Sequence, residues 1–339
     1  MMVGTYVLRR VVMMPVLILG LVTVAFIVSR TVPADPLSTV VSERQLNNPA
    51  VVEAAEKRWG LDKPLPEQYV IYVRNLFRGD MGTSFRTKQN VRQDLANRLP
   101  VTLELTFASM AIAITVGLSL GIVAAMHRNS WIDHVARLFA LLGSSLPVFW
   151  TGLFLLYVFY ARLGWFPGPG RLDPRAAAPE KVTGMYTVDS LLAGDLATFG
   201  DALQHIALPS FVLGWAVMGI ISRLVRASLL EVLNQDYVRT ARAKGLAERR
   251  VIIAHALRNA LIPTLTIIGI SFAVLITGAV LTETIFSWPG IGSYAVESSR
   301  ALDFPAIMGV SILGGVIFLL ANLVTDMTYV LVDPRIRLS

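Results

Sequence analysis

Asp236-Tyr237-Val238-Arg239-Thr240-Ala241-Arg242-Ala243-Lys244-Gly245-Leu246 is a polar, basic, helix-forming stretch enclosed by hydrophobic runs on both sides. It is too short for a domain and too regular for a linker. Asp236 is placed to cap a helix, because its carboxylate accepts from the free amides of a first turn. Val238, Ala241 and Leu246 give that helix a modest apolar side, and Arg239, Arg242 and Lys244 a charged one. Gly245 ends it or allows close backbone approach. Two readings stand side by side: the helix seats in a groove on a partner protein, or it lies on anionic lipid.

The surroundings are those of a membrane protein. The chain has 339 residues, 54% hydrophobic and 16% charged, with mean hydropathy +0.60, whereas soluble domains carry about 25% charged residues. Cysteine is absent, which excludes disulfides and thiolate chemistry. The net charge of +7 does not argue for nucleic acid, since no recognition motif accompanies it.

Six runs have the length to cross a hydrocarbon core, which takes about 20 helical residues: Val11–Val28, Val101–Met126, Val135–Tyr160, Ile206–Ile221, Leu261–Thr282 and Ala306–Leu331. The fourth is marginal, with Pro209 near its start, unless its helix continues past Arg223. The first follows Arg9-Arg10 and lacks a small-residue cleavage site, so it reads as a retained span. Basic residues concentrate in the short tails and in the 223–260 loop. The positive-inside bias then puts both termini and that loop in the cytoplasm of a multi-pass protein.

The expected organisation is 1–30 as tail and first span, 31–100 as an exterior helical module, 101–331 as the membrane core with its 223–260 loop, and 332–339 as a cytoplasmic tail. Within the module, Asn48-Pro49 predicts a helix over Val51–Trp59. Glu67–Phe77 predicts a second with Tyr69, Tyr72, Val73 and Leu76 on one face, and Val91–Leu99 a third stopped by Pro100. Residues 161–205 read as an exposed loop with a short helix near Ser190–Leu196. In Ser144-Ser145-Leu146-Pro147, Pro147 removes one backbone bond that the serines can partly replace, so Ser144 and Pro147 mark a candidate bend or gate.

Thr240-Ala241-x-x-x-Gly245 resembles part of the signature of permease subunits of bacterial ABC importers. Asp236 to Leu246, followed by His255-Ala256-Leu257-Arg258-Asn259-Ala260-Leu261-Ile262-Pro263, is similar to the dipeptide/oligopeptide/nickel permease subfamily, first-permease type. So are Leu61 to Tyr69, Gly79-Asp80-Met81-Gly82-Thr83-Ser84, Phe286 to Gly292 and the tail Asp333 to Arg337. Residues 171–200 exceed the family core and are expected to be peripheral.

The resemblance implies an all-α protein of six transmembrane helices with the type-1 ABC importer permease fold, in the bacterial cytoplasmic membrane. It implies a second, homologous permease, two ATPase subunits (separate or fused), an exterior solute-binding protein and the lipid bilayer as partners. ATP and Mg belong to the ATPases, so this chain is a non-catalytic subunit with no cofactor or metal of its own. The implied docking element is Asp236, Tyr237, Arg239, Thr240, Ala241, Lys244, Gly245 and Leu246. Peptide is the implied cargo, with glutathione, nickel or another small solute as the alternative.

Charges at membrane depth cost about 2.5–3.5 kcal/mol each. Glu104, Glu283 and Asp326 are the candidates, either touching cargo or serving as interfacial carboxylates bonded to water or arginine. The sequence carries no phosphate-binding Gly-rich loop and no serine nucleophile elbow. A secondary transporter acting alone is the rival, and it would place charges at mid-depth.

Overall fold

The computed structural model describes residues 2–31, 49, 50, 53 and 63–332. Thirteen helices organise these residues: α1 (Met2–Thr31), α2 (Leu65–Phe77), α3 (Val91–Met126), α4 (Trp131–Ser145) and α5 (Val148–Leu155, continued as a π-helix over Leu156–Arg162), then α6 (Tyr186–Leu192), α7 (Leu196–Val232) and α8 (Asp236–Ala243). After these come α9 (Glu248–Ala260), π-helical over Val251–Ala256, then α10 (Ile262–Gly278), α11 (Val280–Ile285), α12 (Ile291–Arg300) and α13 (Phe304–Val332). The helix expected over Val51–Trp59 lies, Glu53 apart, outside the described residues, as does the tail from Asp333.

Four of the helices (α1, α3, α7 and α13) are long and apolar enough to cross a membrane unaided. The count reaches six when two bent pairs, α4 with α5 and α9 with α10, each form one span. The bends are 107° and 56°. The sharper one falls at Leu146-Pro147, between Ser145 and Val148. Ser144 does not replace the bond that Pro147 removes from Gly143. Its hydroxyl stands 3.2 Å from the carbonyls of Ala140 and Leu141.

Two prolines fail to end their helices. Pro100 lies inside α3, so the separate helix expected over Val91–Leu99 is the first stretch of a 36-residue helix. An interior proline costs about 3 kcal/mol. Burial of Val101, Leu105, Met110 and Ala113 against α7 outweighs it, at about 1.5–3 kcal/mol per large side chain. Pro209 likewise lies inside α7, which has 37 residues. At 1.5 Å per residue α7 spans about 56 Å, well beyond a hydrocarbon core of about 30 Å, and it carries the chain past Arg223.

The centre of the molecule is α7 packed on α3 and α4. Small residues set the spacing. A Cβ on Gly214 would lie 2.8 Å from the Ser109 carbonyl of α3, and one on Gly121 would lie 2.7 Å from the Ser222 carbonyl of α7. A Cβ on Gly219 would fall on the Ala140 carbonyl of α4. Trp215 stacks on Phe139 with ring centroids 5.1 Å apart, and its Nε1 donates to the Phe139 carbonyl at 3.0 Å. At the end of this interface Arg226 donates twice to Asp133, both at 2.7 Å. Outside this centre, α13 packs on α1 and α10, and α2 rests on α1 through Tyr69 and Tyr72 against Phe26.

Candidate functional site

The site is the polar element that begins where α7 ends. Leu229 at the foot of α7 is fully buried and heads an apolar cluster with Val238, Ala241, Val251, Ile252, Ala256 and Ala260. This cluster seats α8 on α9. The cap residue of α8 is Gln235, without a side-chain bond, so Asp236 is not the cap. It is the first helical residue, where its charge still opposes the helix dipole. The α8 helix ends at Ala243 with Lys244 as its cap, and Gly245 follows with φ +74°, a left-handed conformation in which glycine is at ease.

The eight residues implied as a docking surface therefore divide. Asp236, Tyr237, Arg239, Thr240, Lys244 and Gly245 are exposed, while Ala241 is buried and Leu246 packs on the apolar cluster. Ala241 acts through its small size, letting α8 approach α9. The outward face is also pinned from the side. Asn259 Nδ2 of α9 donates to Tyr237 Oη at 2.8 Å, and Arg242 makes two bonds to Glu248, at 3.0 and 2.6 Å. The Glu248 partner raises the pKa of Arg242 above its ordinary value. The outer surface of α8 is thus a rigid, basic ridge fixed to the foot of α7.

The candidate carboxylates near the other ends of the spans have partners within the chain. Glu104 is buried and accepts from Arg171 at 2.6 Å, and from the amide and hydroxyl of Thr187 at 2.7 and 2.8 Å. Glu283 is buried and accepts from Thr102 Oγ1 at 2.7 Å and from the Ser293 amide at 2.8 Å. Both join connecting segments or short helices to the long helices. Asp326 belongs to α13, and its side chain lies outside the described residues.

Residues 171–200 are largely exposed, but buried Arg171, Gly184 and Asp189 anchor them to the helices. Arg171 lies over the Tyr186 ring, 3.5 Å from its centroid, and donates to the Gly184 carbonyl at 3.0 Å. The expected helix near Ser190–Leu196 is instead α6, ending at Leu192, and α7 begins at Leu196. Buried Asp189 accepts from the Thr183 amide and hydroxyl, both at 2.7 Å, and from the Gly184 amide at 2.9 Å. Burial pushes the Asp189 carboxyl up, but these bonds outweigh it and the net displacement is downward. Asp133 and Arg171 carried no sequence signal, since their partners stand 93 and 67 positions away.

An apolar hollow of about 580 Å³ lies between α5, α7, α10 and α11, lined by Val148, Val217, Ile270, Val274 and Leu281 among others.

Comparison with known proteins identifies this arrangement. Residues 117–338 match the family described as binding-protein-dependent transport system inner membrane component, and residues 2–106 match the N-terminal part of such components. The chain belongs to this family.

Relatives of this inner membrane component align nearly end to end. One is the probable D,D-dipeptide transport system permease protein DdpB of Escherichia coli K12, 44% identical and covering 94% of this chain and 93% of the relative. Another is the di/tripeptide transport system permease protein DppB of Pseudomonas aeruginosa, 43% identical over 98% of both chains. The solved MetNI methionine ABC transporter superposes with TM-score 0.51 at 15% identity, covering 70% of this chain and 96% of that one. That likeness is one of fold, the type-1 ABC importer permease fold. The chain is an integral membrane permease subunit of an ABC transporter.

Proposed function

We propose that the chain is the first permease of a peptide importer in the bacterial cytoplasmic membrane, with both termini on the cytoplasmic side. Full-length relatives named for dipeptide and di/tripeptide transport at 37–44% identity support that cargo. A second, homologous permease faces the hollow between α5, α7 and α10, and the two enclose the pathway. An exterior solute-binding protein delivers peptide to the outer segments. Two ATPase subunits hold ATP and Mg and carry out the hydrolysis, while this chain catalyses nothing.

The observation that carries the reading is the exposed ridge of α8, fixed by its buried face to the foot of α7. When the ATPases close on ATP, α8 moves with them and α7 moves with α8. ATP then shifts the permease between outward-open and inward-open states by binding one state better than the other.

Thr240→Trp tests this. Thr240 is exposed, so a bulky side chain there leaves the chain's own packing alone. In reconstituted transporter, dipeptide uptake is expected to fall about tenfold or more, the loss of about 1.4 kcal/mol of coupling, while the ATPases still hydrolyse ATP. Uptake at the parent rate, or uptake by the single chain without ATP, would sink the proposal. The second outcome would favour a secondary transporter.

A further inference from the structure

A cavity of about 170 Å³ opens where the end of α1, one face of α2 and the start of α13 meet. Its polar lining is poorly satisfied. Eight buried side-chain polar atoms lack a hydrogen-bond partner among the described residues, and three of them, Arg30 Nε, Gln68 Oε1 and Tyr72 Oη, belong to residues lining this one cavity. Buried polar atoms left unpaired are costly, so a cluster of them needs an explanation. Here the cluster offers a cationic donor, a phenol that donates or accepts, and an amide oxygen that only accepts. The Gln68 amide nitrogen is already used, donating to the Lys63 carbonyl at 2.7 Å. Asp80 also lines the cavity, and its Oδ1 accepts from the Gly82 amide at 2.9 Å. A matching ligand carries an anion for Arg30 and Tyr72 and a hydrogen-bond donor for Gln68 and Asp80.

A second hollow, of about 280 Å³, lies on the same three helices. Its lining is apolar, with Ile18 and Val22 from α1, Val73 and Leu76 from α2, and Ile312 from α13. The two hollows share no lining residue, but they lie in line along one face of α1 and of α13. On α1 the residues run Ile18, Val22, Phe26, Arg30, and on α13 they run Phe304, Met308, Ile312. Each step is four residues, which keeps them on one helix face. From Ile18 to Arg30 the rise is about 18 Å, the length of a lipid acyl chain below its headgroup. The guanidinium of Arg30 lies 5.6 Å from the Phe26 ring centroid, at the junction of the polar and apolar parts.

We propose that these two hollows together bind one glycerophospholipid whose headgroup carries a hydrogen-bond donor. Its phosphate sits at Arg30 and Tyr72. Its ammonium or hydroxyl sits at Gln68 and Asp80, and one acyl chain lies along Ile18, Val22 and Ile312. The lipid fastens α2 to the transmembrane helices, and it does so whatever the cargo is. Ethanolamine and glycerol headgroups both fit, whereas choline has no N–H or O–H to give.

The full-length chain in its native assembly, solubilised in mild detergent, is to be exchanged with phosphatidylethanolamine, phosphatidylglycerol or phosphatidylcholine and weighed by native mass spectrometry. A single retained lipid is expected, with the first two held about tenfold more tightly than the choline lipid, as one lost charge-assisted bond implies. Arg30→Met is expected to weaken phosphatidylethanolamine retention by a further factor of about ten. Tyr72→Phe and Gln68→Leu keep the packing volume and decide the matter if the arginine variant fails to assemble. Each is expected to weaken retention about threefold to tenfold. Equal retention of the choline lipid, or assembled variants that hold phosphatidylethanolamine as the parent does, would overturn the proposal. Soluble phosphoethanolamine competing as well as the intact lipid would overturn it too, by assigning the cavity to a water-soluble phosphoester.

Discussion

Gly219 and Gly245 lack a side chain for different reasons, and the difference is measurable. At Gly219 there is no room, because the Ala140 carbonyl occupies the place of a Cβ. At Gly245 there is open space but φ is +74°. Gly219→Ala is expected to cost about 1–3 kcal/mol through overpacking, read as a lower thermal midpoint of the solubilised protein. Gly245→Ala is expected to cost about 1–2 kcal/mol through backbone strain. Asparagine separates the two, since it tolerates the left-handed region and should restore position 245 while worsening position 219.

Asp133 makes a second case. It is fully buried, receives both Arg226 bonds and lies 3.3 Å from Arg137. Asp133→Asn is expected to destabilise by about 3 kcal/mol, because it leaves a partly buried guanidinium uncompensated. Adding Arg226→Met should return part of that loss, as a double-mutant cycle on thermal stability would show. Neither residue was legible from pattern. Asp133 looked like one acid among many basic residues, and only the folded chain brings it to Arg226. The docking face was half legible: residue types gave its charge, but the burial of Ala241 depends on α9, whose π-helical course leaves no mark in composition.

Among the elements, those with a strong apolar period were readable and those held by polar bonds were not. The apolar runs are helical where hydrophobicity placed them, the third bent by 107°. Yet α3 continues through Pro100, expected to stop a helix, and α7 begins well before Pro209, because tertiary burial overrides local propensity. The segment 171–200 reads as peripheral from sequence because it exceeds the family core. It is ordered by Glu104, Arg171 and Asp189, partners that composition cannot connect. Asp189 makes the order of this segment depend on pH. Its carboxyl titrates below the ordinary aspartate value, so the stabilisation is fully present above that value and is lost as pH falls through the native one. Trypsin-type cleavage at the exposed Lys181 is hard to follow in acid, so hydrogen exchange across 182–190 is the better measure. Protection should hold from pH 7 down to the ordinary aspartate value, about 4, and fail only as pH falls further through the lower native value. Asp189→Asn should abolish that dependence.

For the whole molecule, the outer ion pair stabilises more than its own loop. Arg171 and Glu104 are both buried, and their bond ties residues 171–187 to the long helix α3. Arg171→Met is expected to cost about 3–5 kcal/mol by stranding a buried carboxylate, lowering the thermal midpoint. Replacing both partners by apolar residues of similar volume should cost much less. If the single and double variants lose the same amount, the pair is not what holds the outer segments.

The length of α7 has a mechanical consequence. Its 37 residues run from Leu196 to Val232; a close contact with α3 at Gly214 falls at the midpoint, and the tighter one with α4 at Gly219 lies just beyond it. A rod gripped by close contacts about its centre behaves as a see-saw. A tilt of about 5° about that fulcrum, over a half-length of about 28 Å, displaces each tip by about 2.4 Å in opposite senses. Asp201, which takes the Asp173 amide at 2.8 Å, rides near one tip, and Leu229 beneath α8 rides near the other. Force delivered at either tip is therefore felt at the far one with its direction reversed, without any intervening joint.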